Sequence, residues 1–169
     1  MAQRITPKKA RQLLGKLGKG IDRATCKGMN KGLKLSLKYA VTRRMTGGGK
    51  RAPSLPDKLR IRSGDLRRTV RILKAKKVRG KHFVGGLKAG GKAPGGRFVI
   101  YARIHELGGI IRAKKAKYLR FMTPDGSWHM VKRVRIRPRP YLKPSLIATK
   151  GKIYDEVEKS IGELIERTI

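Results

Sequence analysis

Acidic side chains are scarce in this chain. Ten Asp and Glu stand against 45 Lys and Arg in 169 residues, for a net charge of +35. Half of those acids, Asp155, Glu156, Glu158, Glu163 and Glu166, crowd into residues 155–169, where only Lys159 and Arg167 oppose them. The others are scattered through the rest of the chain, and scattered carboxylates do not hold the divalent ions of a nuclease. Cys26 is alone, so neither an internal disulfide nor a cysteine metal cluster is available. No run free of Lys, Arg, Asp and Glu exceeds six residues. That excludes a transmembrane helix and the apolar region of a signal peptide, and no membrane role is expected. Basic residues run through the whole body, so the N-terminus does not read as a mitochondrial presequence. Aromatics make up 5%. An RNA-recognition sheet stacks bases on aromatics from two strands, and Phe98-Val99-Ile100-Tyr101 offers only one such strand.

What is present is a modest apolar share, 38%, and much glycine. High charge with low hydrophobicity favours disorder, yet several segments have clean apolar periods, so disorder is expected only in loops. At this length a single domain over 1–169 is expected. A body this basic repels itself at neutral pH, which points to a polyanionic neighbour.

The order of signals predicts an α+β fold. Thr6-Pro7 reads as a helix N-cap and first position. Ala10, Leu13, Leu14, Leu17, Ile21 and Ala24 recur at helical spacing, and Met29, Leu33, Leu37, Ala40 and Val41 extend the stripe, giving an N-terminal helical region over 7–45. Gly15, Gly18, Gly20, Gly28 and Gly32 each weaken that helix by roughly 1 kcal/mol relative to Ala, so packing must hold it. Thr46 to Pro53 reads as a flexible break. A small, mostly antiparallel sheet with basic loops is expected over 60–137. Ser63 to Val70 gives a turn of helix entering a strand. Residues 76–97 read as a long Gly/Lys segment around Phe83-Val84, too permissive to hold one shape alone, and its part over 85–97 as either a disordered loop or a docking arm that orders on assembly. Gly91-Lys92 is followed by Ala93, so this is not a nucleotide-binding loop. Phe98 to Tyr101 reads as a strand, and Ala102 to Leu107 as a helical turn ending at Gly108-Gly109. Tyr118–Thr123 and Ser127–Ile136 flank Pro124-Asp125-Gly126 as a β-hairpin, with Val134 and Ile136 on an apolar face and arginines on the other. Pro138 and Pro140 end the sheet. A C-terminal helix over 143–168, opened by Pro144, carries Ile153, Val157, Ile161, Leu164 and Ile165 on one stripe.

Three signatures occur in order: Ser63-Gly64-Asp65-Leu66-Arg67-Arg68-Thr69-Val70, Tyr101-Ala102-Arg103-Ile104-His105-Glu106-Leu107-Gly108-Gly109, and Arg137-Pro138-Arg139-Pro140-Tyr141-Leu142-Lys143-Pro144-Ser145-Leu146. Together with the closing helix, the set resembles the tail-component and virion-morphogenesis proteins of tailed bacteriophages, which act in the neck and in tail completion. Leu107 stands where that family more often has Phe, and Ser145 where it more often has Ala. The likeness spans about residues 60–169. It implies a non-enzymatic structural protein without cofactors. It also implies a homo-oligomeric ring at the head–tail junction, with the head–tail connector and the tail terminator or tail tube proteins as neighbours. The location would be the virion, and the host cytoplasm during assembly. The family is not uniformly basic, so the charge needs its own account. A general nucleic-acid-binding protein of ribosomal or chromatin type is the alternative.

Within the second signature, His105-Glu106 is not a metalloprotease motif, because Gly109 stands where a second His is needed. Glu106 is the lone acid between Asp65 and Asp125. It is expected to pair with an Arg, within the subunit or across a ring interface, or with backbone amides. Arg112, Lys114, Lys115, Lys117, Lys132, Arg133, Arg135, Arg137 and Arg139 are the candidates for contact with double-stranded DNA or an acidic partner. The bland alternatives are a solvated face and, for Arg137 to Pro140, a stiff connector. Glu106, Tyr141, Glu158 and Glu163 are the candidate subunit-interface residues.

Overall fold

The structure is a computed structural model that describes residues 7–46, 59, 63–80, 82–123 and 125–168. The expected Thr6 cap, the break at 47–53 and Pro124 lie outside those residues. The fold is α+β, with a long N-terminal helix, small antiparallel sheets and a C-terminal helix. Helix α1 runs Pro7–Tyr39 and continues as one π-helical turn, Ala40–Arg44, closed by the Met45 N–H donating to the Ala40 carbonyl. Then follow α2 (Asp65–Thr69), β1 (Arg71–Lys77), β2 (Phe83–Lys88), β3 (Gly91–Lys92), β4 (Phe98–Val99) and α3 (Ala102–Leu107). The chain continues through β5 (Gly109–Arg112), β6 (Leu119–Met122), β7 (Trp128–Val131), β8 (Arg133–Ile136), α4 (Lys143–Ala148) and α5 (Lys150–Glu166).

Among the described residues the strands pair as four separate two-stranded ladders, β1–β2, β3–β4, β5–β8 and β6–β7, rather than as one sheet. Three expectations are corrected. The Gly/Lys segment is not one long loop: β1 extends to Lys77, and Phe83–Lys88 pairs with it. Its glycine serves close approach, since a Cβ on Gly85 would lie 3.0 Å from the Leu33 side chain and 3.1 Å from the Ala75 Cα. Ser127–Ile136 is not one strand. It breaks at Lys132, and Arg133–Ile136 leaves the hairpin to pair with β5. The last helix is interrupted at Thr149, dividing α4 from α5.

The chain forms two units. The first holds α1 as far as Ser36, the strands between Ile72 and Gly86, and the chain from Ala148 through α5. Here α1 and α5 run antiparallel with main chain against main chain. A Cβ on Gly28 would fall 2.5 Å from the Val157 Cα, and one on Gly32 would fall 2.6 Å from the Ile153 Cα. One turn further on, the Ser36 and Thr149 hydroxyls hydrogen-bond at 2.6 Å. At the other end, Gly20 meets the Leu164 side chain. Three of the five glycines that weaken α1 in isolation, Gly20, Gly28 and Gly32, thus form the surface that packs it. Asn30 Oδ1 accepts the Ala75 N–H at 2.8 Å, and Lys77 pairs with Asp22 at 2.6 Å, tying β1 to the same helix. Lys27 and Lys31 reach Glu163 at 3.5 and 3.8 Å.

The second unit holds Leu37–Arg71 and Leu87–Ile147. Its core gathers Met45, Leu59, Leu66, Val70, Ala93, Val99, Ala102 and Tyr141. All three signatures contribute: Leu66 and Val70 from the first, Ala102 from the second, Tyr141 from the third. Thr69 Oγ1 accepts the Gly90 N–H at 3.0 Å, and buried Asp65 faces Arg68 at 3.3 Å and Arg97 at 3.6 Å.

Candidate polyanion-facing surface

The second and third signatures are locked together by Glu106. Its carboxylate accepts the Tyr141 N–H at 2.8 Å, the Leu142 N–H at 3.0 Å and the Lys143 N–H at 2.9 Å. Those are donors left open where α4 begins, and an anion suits that end of a helix. The Arg139 N–H donates to the His105 carbonyl at 2.7 Å, and the Tyr141 hydroxyl donates to the Ala102 carbonyl at 3.3 Å. Gly108, at φ 70°, ends α3 in the left-handed region, and a Cβ there would meet Pro138 at 2.8 Å. Of the readings open for Glu106, backbone amides within its own unit are the partners found. Tyr141 is 1% exposed and lies in that unit's core rather than on an outer face. Burial first, and the nearby Glu106 charge second, push its hydroxyl well above the ordinary tyrosine range.

This lock leads into the β5–β8 ladder. Its register opposes Gly109 to Ile136, Ile110 to Arg135, Ile111 to Val134 and Arg112 to Arg133. Cross-strand partners share a face and neighbours alternate. Gly109, Ile111, Val134 and Ile136 therefore form one face. Ile110, Arg112, Arg133 and Arg135 form the other, all four exposed. Lys114, Lys115 and Lys117 are exposed on the bend after β5, Lys132 is exposed between β7 and β8, and Arg137 is exposed beyond β8. Arg139 is half-buried. The structure thus places these sequence candidates in one unit, with Arg112, Arg133 and Arg135 on one ladder face. Glu158 lies exposed on α5, whereas Glu163 is engaged by Lys27 and Lys31. The Lys31 charge first, and Lys27 after it, hold the Glu163 carboxyl below the usual glutamate range.

The β6–β7 hairpin pairs Leu119 with Val131, Arg120 with Met130, Phe121 with His129 and Met122 with Trp128. One face therefore carries Arg120, Met122, Trp128 and Met130. The guanidinium of Arg120 lies over the Trp128 ring at 4.4 Å, and Met122, Trp128 and Met130 are 59%, 60% and 63% exposed. Sequence reasoning did not single out Arg120 or Ile110. The parity of the hairpin carried the signal for Arg120, and the pairing of β5 with β8, a long-range contact, was needed for Ile110.

Among the described residues no three His, Cys, Asp or Glu side chains gather as a metal-binding group, and no helix is long and apolar enough to cross a membrane. The chain matches no protein-family model, no curated protein and no solved structure.

Proposed function

We propose that this chain is a structural protein of the tailed-phage neck, a tail-completion subunit that forms a ring joining head connector to tail. The observation that carries the reading is that its sheets are left unfinished. Among the described residues each ladder has only two strands, so each strand offers an edge, and the β6–β7 hairpin exposes Met122, Trp128 and Met130 to solvent. Two-stranded hairpins are marginal alone, and free edges with exposed apolar side chains suit completion by neighbouring subunits. The identity of the assembly rests on the resemblance of the three signatures, which meet in one core. Binding is the mechanism, with no bond made or broken. The exposed acid of α5, Glu158, offers a head-to-tail contact with a basic surface of the next copy, the heterologous geometry that closes rings.

In a phage carrying this gene, a nonsense mutation should leave DNA-filled heads and finished tails that fail to join, seen by electron microscopy. Normally joined particles lacking the chain would overturn the reading. The exposed arginine face also favours a second reading, a general nucleic-acid-binding protein, which would coat DNA without forming closed rings.

A further inference from the structure

We propose that the β5–β8 face bearing Arg112, Arg133 and Arg135 binds the phosphodiester backbone of duplex nucleic acid; only the identity of that duplex, the packaged genome, rests on the neck reading. Arg112 and Arg133 are direct cross-strand partners, and Arg135 is two residues along the same face. Like charges directly opposite each other destabilise a ladder. Among the described residues none of the three makes an ion pair. The described acids of that unit are engaged elsewhere: Asp65 faces Arg68 and Arg97, Glu106 holds the amides of 141–143, and Asp125 takes the Ser127 hydroxyl at 3.1 Å. The fold therefore keeps three uncompensated guanidiniums together on a ladder too narrow to dilute them.

The chemistry of the face selects the partner. Arginine presents a planar fork that matches a phosphate with two parallel hydrogen bonds. Arg133 and Arg135 are spaced by two strand residues, about 6.8 Å, far enough apart to reach different phosphates, which recur about every 3.4 Å of helix axis on each DNA strand. Protein–protein interfaces have apolar, aromatic-rich centres, whereas nucleic-acid interfaces are far more cationic. This face has Ile110 as its one apolar member, and no Asn or Gln to read adenine and no acid to read cytosine, so its arginines are assigned to phosphate, which a random-sequence duplex tests. Its contacts are to backbone, and its binding is independent of sequence.

The test is anisotropy of a labelled random-sequence duplex with the full chain, titrated over salt. The triple variant R112Q/R133Q/R135Q should flatten the slope of log affinity against log salt by about 2.7, at about 0.9 per lost phosphate contact. It should also bind at least about ten-fold more weakly at 0.1 M salt. A control triple on exposed α1 lysines, K16Q/K19Q/K34Q, should change the slope by less than half as much. Equal slopes for the two triples would overturn the site in favour of diffuse attraction. So would poly-glutamate of matched charge competing as well as duplex, which would assign the face to acidic protein. Without DNA the ladder triple should melt no lower than the parent. If it melts lower, the single variant R133Q decides, with a slope change of about 0.9 expected and no change overturning the site. Lost DNA binding by the parent chain with normal head–tail joining would sink this site and spare the neck reading. Retained, ladder-dependent binding without any joining defect in the nonsense mutant would sink the neck reading and sustain the site.

Discussion

Gly28 and Gly32 occupy positions where a methyl group would strike main-chain atoms of α5, while Gly15 and Gly18 on the same helix have nothing within 4 Å of a Cβ. The same substitution should therefore have opposite signs. Gly18→Ala should stabilise by up to about 1 kcal/mol through helix propensity. Gly32→Ala should destabilise by about 1–3 kcal/mol net, because backbone cannot yield as a side-chain tip can. Chemical denaturation of the two variants checks the pair. Glu106→Ala should cost about 2–3 kcal/mol, since it strips a charged acceptor from three amides. Glu106→Gln, which keeps one acceptor oxygen, should cost less. Tyr141 shows how far local sequence reaches: its place in an ordered turn was readable from the flanking prolines, but its burial depends on Ala102 and Glu106, which are remote in sequence.

Among the elements, α1 and α5 are held partly by the Glu163 contacts with Lys27 and Lys31. The folded carboxyl is shifted downward. Its contribution is thus present above the unfolded glutamate value of about 4.3 and is lost as pH falls through the lowered folded value. Melting temperature should fall on acidification below about pH 4.3, and Glu163→Gln should flatten part of that fall. The helices were legible because α1 and α5 carry long apolar periods, and the β6–β7 hairpin because Asp125-Gly126 marks its turn. The strand at 83–88 was not legible. Gly85-Gly86 signals a loop locally, and its role as a flat approach to Leu33 appears only in three dimensions. The switch of Arg133–Ile136 from the hairpin to β5 was likewise not read: the alternation slips at Lys132-Arg133, where two charged residues adjoin, but the new partner follows only from a long-range pairing.

Across the whole molecule, +35 charges on 169 residues oppose compaction. The few acids are placed against that: Asp65 between two arginines, Glu106 on three amides, Glu163 beside two lysines. Raising salt from about 0.01 M to 0.15 M shortens the Debye length from about 30 Å to about 8 Å. The melting temperature should rise accordingly, the reverse of a fold held mainly by surface ion pairs, and a calorimetric salt series measures it. The candidate cations could be named from sequence because acids are missing around them. Which of them share a face could not, because that follows from the β5–β8 register.

The contact of α1 with α5 has a mechanical consequence. Interlocking leucines can slide and re-nest, but two bare main chains meeting at Gly28 and Gly32 have no play. Slipping one helix by a single turn, about 5.4 Å, would bring the Ser36 side chain to the spot where Gly32 now admits Ile153. The pair is indexed like a notch and pawl, so it either engages fully or not at all.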